Sequence, residues 1–167
     1  AAGQVPTEHH VHARPGIRAD SIEYVEAHGT GAALSDEVEA LALTDVLRAG
    51  RGGRDACPLS TIKSNIGHAM AAAGATSLVK VVLGLKHGAI APIPGFETPN
   101  PALPPAGGVL RLVTDLQAWP SQPGRLRRAA VHGQNALGGS AHAIIDEWQP
   151  RFPWPATPSQ ARAGWVL

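Results

Sequence analysis

Hydrophobic and polar positions change period several times along the chain. In "SIEYVEAHGTG", Ile22, Tyr24 and Val25 form a short β-rich run ending at a glycine-flanked histidine, which predicts a buried strand whose carboxyl end opens into a site. In "SDEVEALALTDVLRAG", apolar Val38, Leu41, Ala42, Val46 and Leu47 recur at helical spacing, with Ser35 or Asp36 expected as N-cap and Gly50 as stop. "PLSTIKS" reads as a second short strand. From Ala69 to about Lys86 the chain is helical and apolar on most sides, stopped by Gly88, which predicts a buried helix. The proline-rich "APIPGFETPNPALPPAGG" is expected as a long ordered loop or edge strand. Strands are expected at 109 to 113, 128 to 132 and 141 to 146, the last two joined by a glycine-containing loop.

Three regions follow: residues 1–16 as a loop or partial helix, 17–147 as the domain proper, and 148–167 as a proline-rich tail or linker. A length of 167 residues suits one domain with a real core. With 14 basic and 13 acidic residues the net charge is +1, so no excess field favours nucleic acid or an anionic membrane. The 19 glycines and 15 prolines, against 4% aromatic residues, imply that close backbone packing replaces bulky cores, and with it dependence on a partner surface. Cys57 is the only cysteine, which excludes an internal disulfide. No stretch resembles a membrane span or a leader segment, and the expectation is a soluble, cytoplasmic protein.

His28 and His68 occupy what look like equivalent places after successive strands, where open α/β sheets gather ligands. His87, His132 and His142 read as structural hydrogen-bonding residues. "EHHVH", with His9, His10 and His12, lacks a further ligand at usual spacing, so no metal site is expected.

These residues carry a family resemblance. "VEAHGTGAALSDEVEA" resembles the histidine motif of β-ketoacyl synthases, "TIKSNIGHAMAAAG" their lysine-and-histidine motif, and "PGFETPNPALP" the segment that follows; "ALGGSAHAIIDE" is more loosely similar to their C-terminal glycine loop. The resemblance covers residues 17 to 147 and implies an α/β fold: the C-terminal half of the thiolase-like αβαβα layered fold. It further implies decarboxylative condensation, in which a malonyl thioester on an acyl carrier protein becomes an enolate that attacks an acyl group held on a cysteine. Neutral imidazole donors suit an enolate oxygen. By resemblance, His28 and His68 are that pair and Lys63 orients them. Glu39 matches an acid that contacts the lysine, and Thr30 matches a threonine that binds the carrier arm, where Ala32 replaces a second threonine. His68 is expected at the N-terminus of the buried helix, whose dipole keeps it neutral and whose alanines press it into place.

Leu137, Gly138 and Gly139 fall in the glycine loop that contacts the carrier arm or substrate in the family, although the loop is shorter here and Ser35 and Glu37 replace a glycine and a proline of the first helix turn. The family's nucleophilic cysteine belongs to the N-terminal half, and Cys57, before Pro58 at a strand start, does not replace it. The resemblance therefore implies an acyltransferase part of polyketide or fatty-acid biosynthesis, needing no cofactor beyond carrier-bound phosphopantetheine. Its implied partners are an N-terminal half or a full ketosynthase chain, in an obligate oligomer such as a dimer, and an acyl carrier protein. Half of a five-layer fold is expected to bare a whole sheet face. The alternative is a non-catalytic partner, akin to a chain-length factor or a docking subunit.

Overall fold

The computed structural model describes residues 4–52, 55–100, 108–135, 137 and 139–149. The expected tail falls outside them from residue 150, as do residues 101–107 of the proline-rich segment. Helix α1 (Gln4–His12) comes first, followed by strand β1 (Tyr24–Glu26), helix α2 (Ala33–Arg48), strand β2 (Cys57–Ser60), the single turn α3 (Lys63–Ile66) and helix α4 (Ala73–His87). Strands β3 (Ala89–Ile90), β4 (Leu110–Leu112), β5 (Gln117–Ala118), β6 (Arg128–Gln134) and β7 (Ser140–Asp146) complete the order. All three strands expected late in the chain are present.

One sheet organises the molecule, in the order β4-β2-β1-β6-β7. Its first four strands are parallel and β7 returns antiparallel from β6. Short β3 and β5 pair separately. Alternation along each strand sends side chains to two cores. On one face Val25, Cys57, Leu59 and Ala130 pack against Leu43 and Leu47 of α2. On the other, Tyr24, Ala129 and Val131 pack against Val81 and Leu85 of α4, with Trp119. Helix α1 lies on α2 and β7. Among the described residues no helix is long and apolar enough to cross a membrane.

Four expectations change. Helix α2 begins at Ala33, after an Ala32 that makes no side-chain cap, so Ser35 and Asp36 lie in its first turn. The Asp36 carboxylate instead reaches back to accept the N–H groups of Thr30 and Gly31 (3.1 and 3.0 Å). Leu41 is exposed, and buried Leu43 takes its place on the core face. Helix α4 is buried along one side only: Leu78, Val79, Val82 and Leu83 face outward. Both sheet faces are covered, so the uncovered apolar surface is the outer side of a helix and not a sheet.

Strand β1 also carries Glu26, fully buried toward α4, where Lys80 Nζ lies 2.8 Å from its Oε2. Lys80 also donates to Ser60 Oγ (2.8 Å), and Ile62 N–H donates to Glu26 Oε1 (2.6 Å). The pair therefore ties β1, β2 and α4 at the rim of the sheet. Removing one partner of a buried pair strands a charge. Lys80→Ala is expected to lower unfolding stability by about 3–5 kcal/mol in urea titration; a loss no larger than the ~1 kcal/mol of a surface pair would show that the pair is not the tie.

Candidate active site

Parallel strands β1 and β2 release the chain at the same rim. His28 follows β1 and is nearly buried. Its turn is held from below: His28 N–H and Gly29 N–H donate to the two oxygens of Glu39 (2.6 and 2.9 Å). Gly29 has φ +47°, and a Cβ there would sit 2.8 Å from the Thr61 Cβ, so only glycine lets the turn press against the end of β2. Burial, only partly opposed by its two N–H bonds and Lys63, raises the Glu39 carboxyl to about 7.

Lys63 opens α3 directly after β2. Its ammonium donates to the His28 carbonyl and lies 3.3 Å from His28 Nδ1. Burial lowers its pKa, and Glu39, Glu26 and Asp36 oppose that shift. Among the described residues no ion pair joins Lys63 to Glu39. The acid acts on the backbone of the histidine turn, and the lysine acts on the histidine itself.

Gln134 N–H, at the end of β6, also donates to His28 Nδ1 (3.3 Å). With two donors aimed at Nδ1, the ring proton belongs on Nε2. Burial, then Lys63, then His68 lower the His28 pKa from 6.5 to about 4, so the ring is neutral at physiological pH.

His68 arrives by a different route from the one expected. It is not the counterpart of His28 along the strands; that place belongs to Ile62 and Lys63, and His68 follows only after the α3 turn. Nor does it cap α4. A 3-10 turn, Met70–Ala72, intervenes, and His68 is exposed. Of the residues after it, Ala73 is buried but Ala71, Ala72 and Gly74 are exposed, and nothing lies within 4 Å of a Cβ built at Gly74. The orientation of the His68 ring has a local cause. Met70, at φ +48°, donates its N–H to His68 Nδ1 (3.0 Å), which leaves the proton on Nε2. The two rings meet edge to face, with centroids 5.5 Å apart and planes at 83°. Two imidazoles, each accepting a hydrogen bond at Nδ1, thus come from neighbouring turns to one place.

The carried-over binding residues are less convergent. Thr30 is exposed, with its N–H and hydroxyl turned to Asp36. It borders a groove of about 380 Å³ with Gly31, Lys63, Phe96 and Asn100, whose lining includes neither imidazole. Leu137 is 95% exposed. Asn135 Oδ1 accepts the N–H groups of Leu137 and Gly139, so these described residues of the loop fold back on Asn135. Gly138 lies outside the described residues. Cys57 is buried at the opposite end of β2, and burial pushes its thiol up to about 12, which disfavours the reactive thiolate there. Gln134, the Met70 N–H and the Glu26–Lys80 pair support the site without having been read from the sequence. A lysine amid the apolar run of α4 was the one visible signal.

Residues 1–97 match the model of the family described as Beta-ketoacyl synthase, C-terminal domain. A highly reducing polyketide synthase of Emericella nidulans is 39% identical over 145 residues, covering 86% of this chain and 6% of that protein. The 5-methyl-1-naphthoate synthase of Streptomyces sahachiroi is 38% identical over 154 residues, covering 92% and 8%. Among solved structures, the ketosynthase from module 6 of the bacillaene synthase of Bacillus subtilis 168 superposes with a TM-score of 0.83 at 37% identity, covering 88% of this chain and 26% of that one. The chain thus spans under a tenth of these curated relatives and about a quarter of the solved ketosynthase. Its fold is the thiolase-like one expected.

The lowered pKa of His28 has a consequence for stability. Its folded value lies below the unfolded one, so the neutral ring stabilises the fold above pH 6.5, and that contribution is lost as pH falls through about 4. Imidazole 15N spectra across pH are expected to show His28 as the Nε2–H tautomer until the pH nears about 4; a ring that titrates at 6.5 would contradict the hydrogen-bond arrangement.

Proposed function

The chain belongs to the β-ketoacyl synthase family as its C-terminal domain, and from that premise we propose that it supplies the decarboxylating half of a polyketide ketosynthase site. The observation that carries this reading is the meeting of His28 and His68, each with Nδ1 occupied by donors and Nε2–H left free to donate. A malonyl thioester placed with its carbonyl oxygen between these donors loses CO2. The electron pair of the broken C–C bond moves into the enolate, and the charge on its oxygen is stabilised by the two N–H groups. The enolate carbon then attacks an acyl thioester carbon, a C–C bond forms, and thiolate leaves.

That thiolate belongs to a cysteine from another segment or chain, a reading supported by the burial of Cys57 and its disfavoured thiolate. Lys63 keeps the His28 backbone and ring in place throughout and supplies positive charge nearby. The names of the relatives favour polyketide over fatty-acid assembly, with the malonyl group delivered by an acyl carrier protein. The outer side of α4 supports the need for a second half: Val79 and Leu83 line an apolar groove of about 470 Å³ with Ile62, Ile66 and Leu116. In a five-layer fold such a helix lies in the central layer, covered by its counterpart.

In the complex with the cysteine-bearing half, His68→Ala is expected to slow malonyl decarboxylation by roughly 10²–10³-fold while acylation of the partner cysteine proceeds, as radiolabelled CO2 release and acyl-enzyme mass would show. His68→Gln, which keeps an N–H donor, is expected to lose less. Unchanged CO2 release in both variants would favour the non-catalytic partner reading, and equal loss of both steps would assign His68 a structural role.

A further inference from the structure

A second cluster of imidazoles lies behind the first, on the α1 side of the sheet. His132 of β6 and His142 of β7 are paired in register across the hairpin. Their Nδ1 atoms face one another at 3.3 Å. Helix α1 places Glu8 over them, fully buried, with Oε1 3.2 Å from His132 Nδ1. No hydrogen bond from the described residues reaches either Glu8 oxygen. One oxygen and two nitrogens thus share a small buried space, all within 4.8 Å of one another.

Protons satisfy this arrangement poorly. His132 Nδ1 faces both the Glu8 oxygen and His142 Nδ1, and one ring proton serves only one of them. A carboxylate at such depth with one imidazole nitrogen beside it and no hydrogen bond from the described residues to either oxygen is costly. A cation at the centre would meet all three atoms together. The spacing fits: zinc bonds of about 2.0–2.2 Å to nitrogen and oxygen, at tetrahedral angles, put neighbouring ligand atoms roughly 3.3 Å apart. Glu8 Oε1 to His132 Nδ1 and His132 Nδ1 to His142 Nδ1 are 3.2 and 3.3 Å, and all three ligand atoms lie within 4.8 Å of one another.

The outer nitrogens agree with the same tautomers. If Nδ1 of each histidine binds a cation, each Nε2 carries the proton and needs an acceptor. His142 Nε2 lies 3.2 Å from His12 Nε2, and His132 Nε2 lies 3.3 Å from the Gln134 side-chain amide, whose oxygen and nitrogen exchange places by a flip. Such supporting acceptors are the usual companions of metal-bound imidazole.

We propose that Glu8, His132 and His142 bind one divalent first-row transition ion of the zinc class, with His12 and Gln134 orienting the two rings. Two imidazoles and a carboxylate select zinc, cobalt or nickel over calcium or magnesium and leave a fourth position for water. The ion would join α1 to the β6–β7 hairpin, two residues from the Gln134 N–H that holds His28. The chain's ligands come from its two ends, which is why "EHHVH" alone did not suggest them: His9 and His10 are exposed, and His9 turns to Asp45 (3.2 Å).

The test is titration of the metal-free full chain with Co2+, followed by displacement with Zn2+. One equivalent is expected to produce the visible bands of four-coordinate cobalt and to raise the melting temperature. Glu8→Gln and His142→Ala should abolish the bands, His12→Ala should weaken binding about 10–100-fold, and His9→Ala and His10→Ala should change nothing. Absence of the bands in the unaltered chain overturns the proposal, as does their survival in Glu8→Gln and His142→Ala or their loss in His9→Ala. Where a variant fails to fold, zinc-edge X-ray absorption of the unaltered chain decides: two imidazoles with oxygen support the site, and any other inner shell refutes it.

Discussion

The Glu26 carboxylate is the point on which the rim of this sheet depends. It lies between two neighbouring parallel strands and the helix that covers them, accepts the Ile62 N–H that starts the α3 turn, and is neutralised by Lys80. A buried pair of this kind adds little net stability compared with apolar packing, but it penalises every arrangement in which its partners separate. Its worth here is positional. Lys63 follows Ile62 and His28 follows Glu26 by two residues, so the pair fixes the relative height of the two turns that bear the site. Glu39 then fixes the pitch of the histidine turn by holding two of its N–H groups.

Orientation of the imidazoles is achieved almost wholly by backbone. Gln134 and Met70 each give an N–H to an Nδ1 atom, and the Lys63 ammonium reinforces the first. Backbone donors do not titrate and have no rotamers to lose, so the tautomer is set once the chain is folded. The positive φ of Met70 is a local strain at a non-glycine residue, and it sits at the one N–H that decides which nitrogen of His68 is free.

Much of this was legible in the sequence, and the divisions are physical. Strand and helix periods located β1, α2, β2, α4, β6 and β7, because burial against one sheet imposes them. His28, Lys63 and His68 were legible through motif. The route by which His68 reaches its partner was not, since a four-residue helix and a 3-10 turn have no period to detect. Leu41 and the outer face of α4 were misread for a related reason: apolar residues there are exposed in this chain, and a periodic pattern does not distinguish an apolar position that the fold buries from one that it leaves bare. The same blindness to distance hid Glu8 from His132 and His142, more than 120 positions apart in sequence and brought together by α1 packing on β7.

The distribution of apolar surface bears on how the site is completed. Ile66 and Met70 flank His68 and are 58% and 77% exposed, and they continue into the bare side of α4 through Val79 and Leu83. His68 is therefore exposed at the edge of the same surface that lacks a cover, while His28 is already buried by this chain alone. A second half seated on α4 would remove water from His68 and from the space between the rings at once. Donors aimed at a developing oxyanion gain most where water is excluded. Under the proposed reading the imidazole pair is set in tautomer by this chain but not in dielectric, and a covering half would supply the missing exclusion of water.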